Sequence, residues 1–133
     1  MTETFRKLNL KSQRPILVLG APESFSGEIA SIAADTEVQT APKKGSRYGF
    51  VIAFAATKSD LTKAGAQVVK LLDGDAVCWF AYPKSSSRAV KSELNRDVLW
   101  KLLMPLGIRP VRQIAIDQDW SALRFRVEKY VRS

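Results

Sequence analysis

The sequence predicts an α/β fold: a three-layer, doubly wound sheet, mostly parallel, that closes in a C-terminal antiparallel hairpin. Three observations carry this. Continuously apolar, branched segments stand at residues 15–20, 48–56 and 75–82, the pattern of strands buried on both faces. Stretches with apolar residues at helical spacing separate them, as in chains that alternate strand and helix. The last quarter of the chain instead alternates apolar and polar residues, as strands with one wet face do.

Taken in order, Pro15-Ile-Leu-Val-Leu-Gly20 is the first buried strand. Phe25, Ile29, Ile32 and Ala33 then recur at helical spacing, with Ser24 available as N-cap. Glu37-Val-Gln-Thr40 is a short strand, and Ala41-Pro-Lys-Lys-Gly-Ser-Arg47 reads as a basic loop. The second apolar strand, Tyr48 to Ala56, runs into Thr57-Lys-Ser-Asp60, a helix start of the Thr-x-x-Asp kind. Leu61, Ala64, Val68 and Leu71 mark one face of that helix, with Gly65 a weak point. Asp73-Gly74 turns the chain into the third strand, and a polar loop from Pro83 to Arg88 follows it. Next comes a helix capped by Asn95 or Ser92, striped by Leu94, Val98, Leu102 and Leu103, and stopped near Pro105 and Gly107. Trp100 falls off that stripe, where a partly exposed contact residue would stand. Residues 108–116 and 121–130 alternate, and Asp117-Gln-Asp-Trp120 joins them.

The chain has 133 residues, 46% hydrophobic and 26% charged, which suits one globular domain over residues 1–133. It contains no His, so Ser-His-Asp and Cys-His catalysis and His-ligated metal are excluded. A single Cys permits neither an intrachain disulfide nor a zinc knuckle, and Cys78, mid-strand without a flanking cation, reads as an inert buried thiol. The N-terminus lacks an apolar leader and no apolar run nears the ~20 residues that span a bilayer. A soluble, cytoplasmic protein without a membrane partner is expected.

Lys and Arg number 21 against 13 Asp and Glu, a formal charge of +8, concentrated in the second half of the chain. Arg112, Arg124 and Arg126 line the wet face of the terminal hairpin, beside Arg109, Lys129 and Arg132. Such a stripe gives salt-sensitive affinity for polyanions. However, the chain carries no helix-turn-helix, zinc-finger or basic-aromatic pattern. Nucleic acid is therefore not the expected partner, and a solvated basic face is the plainer meaning.

Several short motifs go beyond this pattern: Lys7-Leu8, Leu19-Gly-Ala-Pro-Glu23 with Phe25, Tyr82-Pro-Lys-Ser85, Asn95-Arg-Asp97, Pro105-Leu-Gly107, and Ala115-Ile-Asp117 leading to Trp120-Ser-Ala-Leu-Arg-Phe125. In these the chain resembles, almost end to end, an uncharacterised bacterial family, a domain of unknown function of about this length. The family's usual last motif is Trp-Ser-Gly-Leu-Lys-Phe, from which Ala122 and Arg124 depart. The element order resembles a shortened class I methyltransferase version of the Rossmann fold. The resemblance implies a fold and little chemistry, since the family has no established activity. Binding S-adenosylmethionine in that fold needs a glycine-rich turn after the first strand and an acid at the end of the second. Here the turn is Gly20-Ala-Pro-Glu-Ser24, in which Pro22 removes an amide donor and Glu23 sets an anion near the helix start. The second strand ends Gln39-Thr-Ala-Pro-Lys43, without an acid. The residues argue against S-adenosylmethionine, and no cofactor is expected.

In open α/β sheets ligands collect outside the carboxyl ends of the parallel strands. The loops expected on that rim are residues 20–24, 40–47, 56–59, 82–88 and 117–120, so the candidate ligand-binding residues are Glu23, Lys43, Arg47, Lys84, Ser85, Asp117 and Trp120. Lys84, followed by Ser85-Ser-Ser-Arg88, offers a cation, hydroxyls and loop amides to an anion such as phosphate or a nucleotide tail. Equally, Lys84 could pair with Glu23 or Asp117 and pin the strand ends, and Trp120 could simply pack under the hairpin. No catalytic residue and no metal site are assigned. The leading expectation is a non-catalytic module for a small anionic ligand or a partner protein. Two alternatives stand beside it. One is a small transferase for a nucleotide-like substrate, built on Glu23, Lys84 and Asp117. The other is a homo-oligomeric scaffold joined through the hairpin edge or Trp100.

Overall fold

Apolar strands with two dry faces must be covered by helices on both sides, and the chain achieves this around one mixed sheet. The computed structural model describes residues 1–131; the expected basic residue Arg132 lies outside them. The strands are β1 (Ile16–Leu19), β2 (Val38–Gln39), β3 (Tyr48–Phe54), β4 (Leu72–Pro83), β5 (Ile108–Ala115) and β6 (Trp120–Val127), in the order β2-β1-β3-β4-β6-β5. The first four are parallel, whereas β6 runs antiparallel to β4 and β5 antiparallel to β6. The helices are α1 (Glu3–Lys7), α2 (Ser26–Ile32), α3 (Lys58–Val68) and α4 (Arg96–Leu103).

Side-chain alternation sorts the core into two layers. On one face Leu17, Val51, Ala53, Phe80, Leu123 and Phe125 meet Leu61 and Val68 of α3 and Leu99 and Leu103 of α4. On the other, Ile16, Val18, Phe50, Ile52 and Trp79 meet Phe5 and Leu8 at α1, then Phe25 and Ile32 at α2. Each fully buried side chain of this size contributes about 1.5–3 kcal/mol, so both helical layers hold the sheet.

Two helix caps are realised as read, but Ser24 is not a cap: it lies inside the single helical turn Glu23–Phe25, and α2 starts from Phe25 with no side-chain cap. The Thr57 hydroxyl accepts from the Asp60 amide at 3.0 Å, and the Asn95 side chain accepts from the Val98 amide at 2.9 Å. Ser92 is not the cap: its hydroxyl donates to the Ala56 carbonyl at 2.6 Å and accepts from the Leu94 amide at 3.0 Å.

One element carries no sequence signal, and two readings are corrected. Helix α1 carries no periodic signal because it is one turn long; Thr2 caps it, and two reaching contacts hold it. Lys7 Nζ donates to the Ala115 carbonyl and the Trp79 indole N–H to the Leu8 carbonyl, both at 2.7 Å. Gly65 is a close-approach position rather than a weak point, since a Cβ there would stand 2.6 Å from Leu103 Cδ2. Asp73-Gly74 lies inside β4, in an irregularity between the Tyr48–Leu72 and Phe50–Val77 pairs, with Gly74 at φ +58°. No helix among the described residues is long and apolar enough to cross a membrane.

Candidate functional site

The sheet order reverses at β1, which is flanked by β2 on one side and β3 on the other, and the crevice beyond β1 and β3 is where open sheets take ligands. Gly20 turns the chain there at φ +65°, so close to β3 that a Cβ would lie 2.9 Å from the Phe54 carbonyl oxygen. Pro22 is extended and supplies no side-chain cap to the single helical turn Glu23–Phe25. The rings of Phe25 and Phe54 lie 5.0 Å apart, and those of Phe54 and Trp120 5.3 Å apart. A row of buried aromatics thus runs beneath the rim, and Trp120 belongs to the core. Glu23 is exposed at the start of its turn.

Further along the rim, β4 ends at Pro83 opposite Trp120, and the Lys84 amide donates to the Asp119 carbonyl at 2.8 Å. Asp117 Oδ1 accepts from the Asp119 and Trp120 amides, both at 2.8 Å, which closes the hairpin tip. Buried Ser87 ties the two loops together: its hydroxyl donates to Asp119 Oδ1 at 2.9 Å and accepts from the Val90 amide at 3.0 Å. These bonds fix the backbone around Lys84, which is half-buried.

A cleft of about 340 Å³ opens beside it, lined by Tyr82, Lys84, Ser85, Asn95, Arg96 and Gln113, among others. Two cations, a phenol and two amides converge there at the start of α4, and no carboxylate lines the cleft among the described residues. Burial pushes the Tyr82 phenol up, opposed by the charge of Arg96, so it remains a neutral donor at physiological pH. A cation in the first turn of a helix faces the positive end of the macrodipole. Arg96 and the α4 amides therefore reinforce one another toward an anion.

The structure brings Lys84 and Ser85 together in the cleft, sets Asp117 and Trp120 on the adjoining hairpin turn, and separates Glu23, Lys43 and Arg47 from them. Glu23 follows β1, two strand spacings or roughly 10 Å from β4, and no ion pair joins Lys84 to Glu23 or Asp117 among the described residues. Asp117 is occupied by the turn. Lys43 pairs with Glu37 at 3.6 Å, and Arg47 donates to the Leu72 carbonyl at 3.2 Å, at the amino end of β4. The correction has a simple cause. Because β3 is parallel to β1 and no helix precedes it, residues 40–47 must return the chain to the opposite edge. Tyr82, Arg96 and Gln113 were missed as site residues. Arg96 was legible as the first helical residue after the Lys84 loop, whereas Gln113 joins only through its pairing with Leu123. Burial pushes the Cys78 thiol up to about 12. Among the described residues no group of His, Cys, Asp and Glu side chains could hold a metal ion.

No family model and no curated protein matches the chain. Solved structures do. The chain is similar to the N-methyltransferase NodS from Bradyrhizobium japonicum WM9, at TM-score 0.60 and 11% identity over 94% of this chain and 92% of that one. It is similar to a SAM-dependent methyltransferase from Aquifex aeolicus, at TM-score 0.64 and 10% identity over 94% and 88%. A third is the glycopeptide N-methyltransferase MtfA complexed with (S)-adenosyl-L-homocysteine, at TM-score 0.61 and 12% identity over 92% and 86%. At such identities the likeness is one of architecture: this is a methyltransferase-like Rossmann sheet.

Proposed function

We propose that the protein is a non-catalytic module on a methyltransferase-like fold that binds a small anionic ligand in the cleft beside Lys84. The observation that carries this reading is the convergence of Lys84 and Arg96 at a cleft without a carboxylate. Its volume suits a small metabolite, and the backbone bonds at Asp117, Asp119 and Ser87 pre-organise one wall. Membership of the uncharacterised bacterial family is part of the same reading, supported by the motifs that include Tyr82-Pro-Lys-Ser85 and Trp120-Ser-Ala-Leu-Arg-Phe125.

The structural neighbours favour a second reading, binding of S-adenosylmethionine for methyl transfer, because their names are those of methyltransferases. The residues at the switch point do not fit that group. The turn after β1 has one glycine, and Pro22 removes an amide. At the end of β2, where a carboxylate would hold ribose hydroxyls, stands buried Gln39, accepting from the Tyr48 hydroxyl and donating to Glu37.

Calorimetric titration with inorganic phosphate, ATP and S-adenosylmethionine tests both readings. A phosphate-bearing ligand should bind, and Lys84→Ala and Arg96→Ala should each weaken it about tenfold with stability changed by no more than about 0.5 kcal/mol. Saturable binding of S-adenosylmethionine, or a Lys84→Ala protein that loses stability and keeps its affinity, would overturn the proposal.

A further inference from the structure

The opposite face of the terminal hairpin carries a second electrostatic feature. Antiparallel pairing sets Arg109 against Arg126 and Arg112 against Arg124. Like charges directly opposed on a ladder destabilise it, yet the structure builds the second pair with a bulge. Pro110 faces Phe125, and the next regular partner of Arg124 would be Val111; the register shift inserts Val111 as the extra residue and delivers Arg112 instead. The first pair is neutralised: Arg109 meets Glu128 and Arg126 meets Asp75, each at 2.6 Å. The second is not. Among the described residues Arg112 and Arg124 hold no carboxylate, and the buried Arg124 Nε has no hydrogen-bond partner.

We propose that the Arg112–Arg124 pair is a binding site for a single phosphate group carried by a small ligand. Two guanidinium forks present a set of donors that a tetrahedral dianion can bridge, whereas one carboxylate satisfies one fork. A bound dianion also replaces the mutual repulsion by two attractions. Burial first, then the charges of Arg126 and Arg112, work against the charged form of Arg124 and outweigh the support from Asp75, a penalty that such an anion relieves. A running phosphodiester track does not fit, because the adjoining arginines Arg109 and Arg126 are already paired with Glu128 and Asp75. Arg124 pairs with Trp79 on the face covered by α1, away from the α4 face that holds the Lys84 cleft, so the two sites are independent.

Titration with inorganic phosphate against chloride at constant ionic strength, followed through arginine Nε–Hε resonances in proton–nitrogen spectra, tests the site. The Arg124 resonance should shift saturably. Arg112→Gln should weaken that response at least tenfold while being no less stable than wild type in phosphate-free buffer, and Lys84→Ala should leave it unchanged. Arg112 is exposed, so its variant decides the matter even where Arg124→Gln fails to fold. The proposal fails if the resonance does not move, if chloride moves it equally, or if Arg112→Gln responds like wild type. It fails also if a single-stranded oligonucleotide binds this face more tightly than phosphate with a steep salt dependence.

Discussion

Asp75 shows how a single side chain writes pH dependence into the hairpin. Its carboxyl is held below the ordinary range first by the hydrogen bonds from Arg126, with burial opposing, and then by the charges of Arg126 and Arg124. A carboxyl with a lowered folded value stabilises fully above its unfolded value near 4 and stops doing so as pH falls through the folded one. Both partners are about a third exposed, so the pair is worth less than about 1 kcal/mol. Asp75→Asn should therefore cost up to that amount at pH 7 in urea titrations, with the gap to wild type closing as pH is stepped down below 4. Arg126 as a basic residue of the hairpin was legible in the sequence; its partner was not, because Asp75 lies fifty-one residues away. The same limit governs the cleft. Lys84 is visible as the cation after a buried strand, whereas Arg96 and Gln113 join it only through the packing of α4 and the β5–β6 register.

At the level of elements, the buried strands were readable because two dry faces demand continuous apolar residues, and the caps at Thr57 and Asn95 because they act over three residues. Irregularities were not readable. The excursion at Asp73–Ala76 and the bulge at Val111 are properties of a strand pair rather than of either strand. The contact between β1 and β3 at the switch point supplies a sharp test. Ala at position 20 would be held at φ +65° with its Cβ 2.9 Å from a backbone oxygen that cannot turn aside. Left-handed strain costs about 1–2 kcal/mol and overpacking about 1–3 kcal/mol. Gly20→Ala should lose at least about 2 kcal/mol in denaturant unfolding; a neutral outcome would show that the strands part there without penalty.

For the whole molecule, the sheet's margins decide how copies meet. One margin is β2, two residues long, and the other is β5, interrupted by Pro110 and the Val111 bulge. Short, bulged and proline-bearing margins resist strand addition, which argues against the scaffold joined through the hairpin. Sedimentation should return 14.8 kDa at micromolar concentration. A doubled mass would instead implicate the apolar patch at Trp100, 47% exposed, and Met104. The indole bond from Trp79 to Leu8 has a further consequence, for the order in which a ribosome delivers the parts. Leu8 is made before its indole partner, which follows seventy-one residues later, roughly 4–14 s afterwards at ordinary elongation rates. Through that interval Phe5 has only the earlier part of its layer, Phe25 and Phe50 among it, to pack on. The helix is closed onto its layer by a bond to Trp79 only when the middle of the sheet arrives to receive it.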